Sequence, residues 1–234
     1  MKLALAQFRP VPGDLPANRE RHLAFVSDAV AAGADAIVFP ELSLSGYEPR
    51  LAPACALRAA DAFLDPFQER ADRTGIVIGA GMPVTGEKGL HIGLVFFQPG
   101  KPRQTYTKKY LHPDEEPFFK PGTAEAAIQI GQEWLIPAIC YEISIPQHAS
   151  DALADKRGIY LASVAKTEKG MDAAWKRLPQ IAREYGVPAA IVNCLGPNDD
   201  FTGAGRTAAW AADGLLIRQL DGETERLLII HTGN

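Results

Sequence analysis

Cysteine is scarce in this sequence: Cys55, Cys140 and Cys194 are the three among 234 residues. Their odd number and wide spacing argue against a disulfide framework. We therefore expect free thiols in a reducing compartment. The five histidines are scattered, and no pair of Cys or His residues has the spacing of a zinc site, so no metal is expected.

The sequence also lacks a long apolar run and an excess of charge of one sign. No stretch approaches the length of a membrane span, and the N-terminus enters a strand-like run, LALAQF, instead of a signal or transit peptide. The net charge is −4 with both signs interspersed, which argues against nucleic acid or an anionic membrane as a partner. These absences favour a cytoplasmic protein that binds a small molecule or another protein.

Apolar runs and helical periodicity alternate along the chain. The length and the 47% hydrophobic content predict one globular domain over residues 1–234. Short apolar runs such as DAIVFP and GIYLASVA read as buried strands, whereas Ala17 to Ala32, Pro146 to Lys156 and Ala173 to Tyr185 read as helices. This alternation predicts an α/β fold with helix-covered sheets.

Cys140 ends an apolar run in WLIPAICYEISIP, residues 134 to 146. Pro146 suits the first turn of a following helix, so the thiol is predicted to lie near a strand-to-helix turn. Backbone N–H groups at such a turn lower a thiol pKa and can bind an oxyanion. On this segment alone, a cysteine that only packs in the core is the more common alternative.

Charged residues in two other segments are candidates for catalysis. Glu41 ends the run AIVFPE, where partial burial would raise its pKa and suit it to act as a base. In YTKKYLHPDEEPFFKPG, residues 106 to 122, Lys108 shares a strand face with two tyrosines, and an inward lysine needs a carboxylate or a developing negative charge. The alternatives are an exposed strand-end charge at Glu41, a solvated lysine pair, and a solvated loop at Glu115 and Glu116.

Four motifs occur in one order on this chain: FPELSLSGY with Glu41, YTKKYL with Lys108, EEPFFKPG with Glu115 and ICYE with Cys140. With these motifs the chain resembles the nitrilase superfamily of carbon–nitrogen hydrolases. The segments LALAQF, IAREYGVPAAIVN and GRTAAWAADG extend the resemblance over nearly the whole chain. The resemblance implies a four-layer α-β-β-α sandwich and a homodimer, or a larger homo-oligomer, formed through sheet-covering helices.

The resemblance also implies roles for individual residues. Cys140 would be the nucleophile and Glu41 the general base and later acid. Lys108 and the backbone N–H of Tyr141 would stabilise the tetrahedral oxyanion, and Glu115 would orient the substrate and Lys108 or assist proton transfer. Such an enzyme would hydrolyse a small amide, less readily a nitrile or an N-carbamoyl compound, through a cysteine thioester and without a cofactor.

Two alternative functions and three further positions stay open on the sequence. The chain could be a catalytically silent homologue that serves as a binding or assembly subunit, or an acyltransferase that passes the acyl group to an amine. Tyr47 closely follows Glu41 and either binds substrate at the pocket mouth or packs. Ser144 stands where many family members have an arginine, and Thr207 replaces a common family serine.

Overall fold

The structure is a computed structural model that describes residues 1–123, 127–154 and 158–232. The helices are α1 (Leu15–Ala31), α2 (Ala52–Cys55), α3 (Asp65–Thr74), α4 (Pro146–Leu153) and α5 (Glu168–Tyr185). The strands are β1 (Lys2–Gln7), β2 (Ala36–Val38), β3 (Val77–Gly86), β4 (Gly89–Phe97), β5 (Gln104–Thr107), β6 (Ile128–Ile130), β7 (Glu133–Ile139), β8 (Gly158–Val164), β9 (Ala189–Asn193), β10 (Leu195–Asn198), β11 (Phe201–Ala204), β12 (Ala208–Trp210), β13 (Leu216–Gln219) and β14 (Arg226–His231). The predicted end of the helix that begins at Pro146, Lys156, lies outside the described residues.

Most of the described strands form two six-stranded sheets. The first has the order β14-β1-β2-β3-β4-β5 and the second the order β13-β12-β9-β8-β7-β6. In the second sheet β7, β8 and β9 are parallel, so the residues that follow β7 and β8 emerge at the same edge. None of the helices in the described ranges has both the length and the apolarity that a membrane span requires.

The side-chain alternation of the central strands separates the core into three apolar layers. Leu5 of β1 and Leu135 of β7 belong to one cluster that lies between the two sheets. Ala4 of β1 faces the opposite way and packs with residues of α1 and α3. Ile136 of β7 packs with residues of α4 and α5. The order helix, sheet, sheet, helix confirms the four-layer α-β-β-α sandwich.

The strand expected to carry Lys108 ends one residue earlier, at Thr107. The Lys108 N–H still donates to the Ile92 carbonyl at 2.9 Å, and its carbonyl accepts the Gly122 N–H at 2.7 Å. A Cβ on Gly122 would lie 2.1 Å from the Thr107 hydroxyl oxygen, so only glycine allows this approach. The backbone of Lys108 is thereby fixed on both sides although it lies beyond the strand.

Candidate active site

Glu41 lies in a tightly packed loop that follows β2. Leu42 has a positive φ of 52°, which few non-glycine residues adopt. A Cβ on Gly81 of β3 would lie 2.2 Å from the Pro40 carbonyl oxygen, so the strand can approach this loop only because residue 81 is glycine. The packing leaves Glu41 only 2% exposed, and the exposed strand-end alternative is wrong.

Helix α1 anchors the same loop through a buried histidine. His22 Nδ1 lies 2.7 Å from the Asn18 carbonyl oxygen, and Nε2 lies 3.0 Å from the Ser43 hydroxyl. Burial lowers the pKa of His22 to about 3, so the ring is neutral near pH 7. Nδ1 therefore carries the proton that faces the carbonyl, and Nε2 accepts from Ser43.

Lys108 lies between two buried carboxylates. Its Nζ is 2.8 Å from Glu41 Oε1 and 2.6 Å from Glu115 Oε1. Burial lowers the pKa of Lys108, but these carboxylates outweigh burial and raise the pKa above its ordinary value, so the ammonium form is retained. Glu115 also accepts the Tyr47 hydroxyl and the His112 backbone N–H, each at 2.8 Å. The alternatives with a solvated Lys108 and a solvated Glu115 are therefore wrong.

Glu41 also reaches the second sheet. Its Oε2 accepts the backbone N–H of Ala165, which follows β8, at 3.1 Å. Burial raises the pKa of the Glu41 carboxyl above its ordinary value, although the Lys108 ammonium and a hydrogen bond with Cys140 oppose the rise. A carboxylate with a raised pKa binds a proton more readily than an exposed one.

Cys140 opens a short 3₁₀ helix, Cys140–Ser144, directly after β7, as the predicted strand-to-helix turn requires. Its φ is 46°, and left-handed backbone costs a non-glycine residue about 1–2 kcal/mol. Such strain is concentrated at functional sites, so the outlier favours a functional role for this cysteine. The Tyr141 N–H lies in the first turn of the helix, where amide groups lack an intrahelical acceptor.

The Cys140 thiol is protonated at neutral pH. Burial and the Glu41 carboxylate raise its pKa to about 11, while Lys166 and Lys108 act in the opposite direction. Its Sγ lies 3.8 Å from the Ala165 carbonyl oxygen. A thiol with this pKa needs a base to become a nucleophile, and Glu41 is the carboxylate beside it.

A cavity of about 480 Å³ opens onto Cys140. Tyr47 lines it and packs edge-to-face on Phe201 with ring centroids 5.4 Å apart, so its position agrees with the predicted pocket mouth. Further lining residues are Phe118, Tyr141, Lys166 and Glu115. Over the described part of the chain, no group of three or more His, Cys, Asp or Glu side chains is placed to hold a metal ion.

Sequence reasoning missed a buried network centred on Glu142. Its Oε2 accepts the Ile139 N–H at 2.6 Å and the Tyr106 hydroxyl at 2.8 Å. Its Oε1 accepts the Lys109 N–H at 2.5 Å. Tyr106 also lies 2.8 Å from His148 Nε2. The Glu142 carboxylate thus joins the segment before the thiol to the segment after the buried lysine, which no local sequence pattern reveals.

Replacing Glu142 with glutamine is expected to destabilise the protein by about 2–5 kcal/mol. The carboxylate accepts from donors at both oxygens, whereas an amide would turn its own N–H groups toward some of those donors. Urea unfolding of wild type, Glu142→Gln and the exposed control Glu116→Gln measures the effect. Equal midpoints for all three proteins would contradict the structural role of Glu142.

The two departures from the family pattern have different surroundings. Ser144 is exposed at the end of the 3₁₀ helix that Cys140 opens. Arg177 of α5 contacts this 3₁₀ helix by donating from Nε to the Ile143 carbonyl at 3.3 Å. Thr207 is buried, and its hydroxyl oxygen accepts the Asn193 N–H at 3.2 Å. Thr207 therefore retains a hydroxyl oxygen that accepts a hydrogen bond. The 3₁₀ helix that begins at Cys140 is contacted by an arginine from a different part of the chain.

The structure is a four-layer sandwich in which Glu41, Lys108 and Cys140 come together beyond the ends of strands from both sheets. This is the arrangement that the resemblance to carbon–nitrogen hydrolases implies. The sequence profile of the carbon-nitrogen hydrolase family matches residues 2–232. The chain belongs to this family, and the predicted membership is confirmed.

Individual relatives are more distant. The chain is 27% identical over 227 residues to the glutamine-dependent NAD(+) synthetase of Thermotoga maritima, covering 93% of this chain and 39% of that protein. It is 26% identical over 148 residues to the omega-amidase YafV of Escherichia coli K12, covering 62% of this chain and 56% of that protein. The chain thus spans well under half the length of the first of these curated relatives.

The fold agrees with that of an amidase from Nesterenkonia sp. AN1. That structure has a TM-score of 0.89 at 24% identity and covers 100% of this chain and 93% of the amidase. A variant of the same amidase, 25% identical to this chain with a TM-score of 0.87, covers 98% of this chain and 89% of the variant. It shows covalent addition of the acetamide moiety of fluoroacetamide at its active-site cysteine.

Proposed function

We propose that this protein hydrolyses the carbon–nitrogen bond of a small amide, with Cys140 as the nucleophile. The observation that carries the proposal is that Cys140, which lines the cavity, is hydrogen-bonded to Glu41, and that Glu41 is ion-paired to Lys108 at 2.8 Å. Family membership supports it. The cysteine adduct of the Nesterenkonia amidase variant supports the choice of nucleophile.

The first step forms a carbon–sulfur bond. Glu41 takes the thiol proton, and the Cys140 thiolate attacks the amide carbonyl carbon. The carbonyl oxygen becomes an oxyanion, and the Lys108 ammonium and the Tyr141 N–H stabilise its negative charge. Because the pKa of the Cys140 thiol is about 11, the thiol stays protonated when no substrate is bound. Glu41 removes the proton as the sulfur attacks the substrate.

The next steps break the carbon–nitrogen bond and release the acid. Glu41 returns its proton to the leaving nitrogen as the tetrahedral intermediate collapses, so that ammonia or an amine departs and a thioester remains on Cys140. Glu41 then takes a proton from water, which attacks the thioester at the same oxyanion site. The second collapse breaks the carbon–sulfur bond and releases the carboxylic acid, and Glu41 passes the proton that it took from water to the Cys140 sulfur.

Glu115 supports this sequence by fixing its neighbours. Glu115 is ion-paired with Lys108 at 2.6 Å and accepts a hydrogen bond from the Tyr47 hydroxyl at 2.8 Å. It therefore positions both the Lys108 ammonium and the Tyr47 side chain that lines the cavity. Its role in the proposal is orientation of the lysine and the pocket. No cofactor enters any step.

Turnover of a substrate panel tests the proposal. Short aliphatic amides, ω-amides of dicarboxylic acids, N-carbamoyl amino acids and nitriles are assayed for ammonia and acid, each with and without an added amine. Equal amounts of ammonia and acid from at least one amide are expected. A new amide formed only with an amine acceptor would favour acyl transfer. No reaction, together with a Cys140 that iodoacetamide does not alkylate, would favour a catalytically silent subunit.

A further inference from the structure

Lys166 places a positive charge in the wall of the cavity that contains Cys140. Lys166 follows β8, and the residue before it, Ala165, contacts both Glu41 and Cys140. The Ala165 N–H donates to Glu41 Oε2 at 3.1 Å, and the Ala165 carbonyl oxygen lies 3.8 Å from Cys140 Sγ. Lys166 therefore leaves the backbone one residue from the reacting centre.

The backbone and stem of Lys166 are held in place. Its N–H donates to Asn193 Oδ1 at 2.8 Å, and its carbonyl accepts from Asn193 Nδ2 and from the Ala204 N–H, each at 3.0 Å. A Cβ on Gly170 would lie 3.2 Å from the Lys166 Cβ, so the stem packs closely on the first turn of α5. The half-buried side chain is thus directed from a fixed base.

Among the described residues, no acidic side chain forms a salt bridge with this lysine. Lys108 pairs with Glu41 and Glu115, whereas no salt bridge within residues 1–123, 127–154 and 158–232 includes Lys166. Its charge nevertheless reaches the sulfur, because it lowers the pKa of Cys140 against the effects of burial and Glu41. A half-buried charge without a partner is unfavourable unless water or a ligand compensates it.

The exposed charged residues that line the cavity do not cancel the positive charge of Lys166. Asp114, Asp199, Asp200 and Arg50 also line the cavity, but all four are exposed. Water and salt screen exposed charges within about 10 Å. Glu115 also lines the cavity and is buried, but its charge is paired with Lys108. Lys166 is half-buried and forms no salt bridge among the described residues, so a substrate held against the sulfur meets a cation there.

We propose that Lys166 makes this site selective for amides that carry an anionic group, in the simplest case a carboxylate. The inference rests on the proposed amide hydrolysis. The anionic group would form an ion pair with the lysine while the amide carbon lies at Cys140. Two kinds of compound share this chemistry: ω-amides of dicarboxylic acids and N-carbamoyl amino acids.

Substituting Lys166 with methionine removes the charge and keeps an unbranched stem. Glutaramate and valeramide form the substrate pair, because valeramide has a methyl group in place of the carboxylate. Wild type is expected to prefer glutaramate. In Lys166→Met, the ratio of kcat/KM for glutaramate to kcat/KM for valeramide should fall about 10- to 100-fold, mainly through the KM of glutaramate. Because Lys166 also lowers the pKa of Cys140, its loss affects the nucleophile equally for both amides, and the ratio cancels that effect.

Lys169→Met is the matched control. Lys169 is an exposed lysine in the first turn of α5, three positions from Lys166, and does not line the cavity. It should retain wild-type kcat/KM for both amides. N-carbamoyl-alanine, assayed in parallel, shows which of the two anionic substrate types the pocket accepts.

Two results would overturn the inference. An equal fall of kcat/KM for both amides in Lys166→Met, which leaves their ratio unchanged, would mean that the lysine acts on the thiolate and not on the substrate. No change on either amide would mean that water alone compensates the charge. Both results leave amide hydrolysis itself standing.

Binding to the inactive variant separates the inference from the proposed reaction. Calorimetry with Cys140→Ala is expected to show tighter binding of glutaramate than of valeramide, and loss of this difference in Cys140→Ala/Lys166→Met. This outcome supports anion selectivity even if no amide is turned over. Equal affinity for the two compounds in Cys140→Ala would contradict it.

Discussion

Replacing Cys140 with alanine is expected to reduce amide turnover by at least about 10³-fold, because the substitution removes the atom that forms the covalent intermediate. Neither of the other cysteines can take its place. Cys194 is 1% exposed, and burial raises the pKa of its thiol to about 12. Cys55 is buried beside the Gly13 carbonyl oxygen, 3.8 Å from its Sγ, and does not line the cavity.

Steady-state ammonia release measures this effect, and Cys55→Ala serves as the matched control. Both variants delete one sulfur, so both should fold with similar urea transitions, while only Cys140→Ala loses turnover. Activity of Cys140→Ala near the wild-type level would reject the nucleophile assignment. Equal loss in both variants would mean that general destabilisation causes the effect.

Substituting Glu41 with glutamine is expected to lower kcat about 10²- to 10⁴-fold, the range typical for loss of a general base. The amide has the size of the carboxyl group, and the Lys108–Glu115 ion pair at 2.6 Å remains available. Glutamine cannot take the proton of a thiol whose pKa is about 11. Iodoacetamide alkylation of Cys140 should slow in parallel. The exposed Glu116→Gln variant should match wild type in both measurements.

The pH profile identifies Glu41 more specifically than the size of the loss. Burial raises its pKa above the ordinary 4.5, so the carboxyl gains a proton, and stops acting as a base, at a higher pH than an exposed glutamate would. Wild-type kcat/KM should therefore fall with decreasing pH along an acid limb centred above 4.5. The residual activity of Glu41→Gln should lack this limb. An unchanged limb would assign it to another group.

The sequence predicts the fold class, because apolar runs of strand length alternate with helical periodicity. The pairing of two sheets follows only from the family resemblance, since the alternation of Leu5 and Ala4 shows two buried faces on β1 but not what covers each. The sequence also left it undecided whether Glu41 is buried, because its contacts come from a distant segment. The amide that binds its carboxylate belongs to Ala165, 124 residues further along the chain.

The residues that sequence reasoning missed are those whose role depends on contacts between distant segments. Lys166 lies between the predicted strand GIYLASVA and the predicted helix Ala173 to Tyr185, and no motif marks it as part of the site. It becomes part of the cavity because β7 and β8 are parallel neighbours and end at the same sheet edge. Glu142 is next to the nucleophile motif, but its hydrogen-bond donors at Lys109 and Tyr106 come from a segment more than 30 residues earlier, at separations of 33 and 36.

The most direct test of the central claim is the mass of the Cys140 peptide from enzyme quenched with acid during turnover of the best amide in the panel. The thioester mechanism predicts a fraction of this peptide heavier by the acyl group of the substrate, absent from Cys140→Ala and lost when substrate is exhausted. Ammonia release with an unmodified Cys140 peptide at every quench time, or an acyl group on Cys55 or Cys194 instead, would contradict the account.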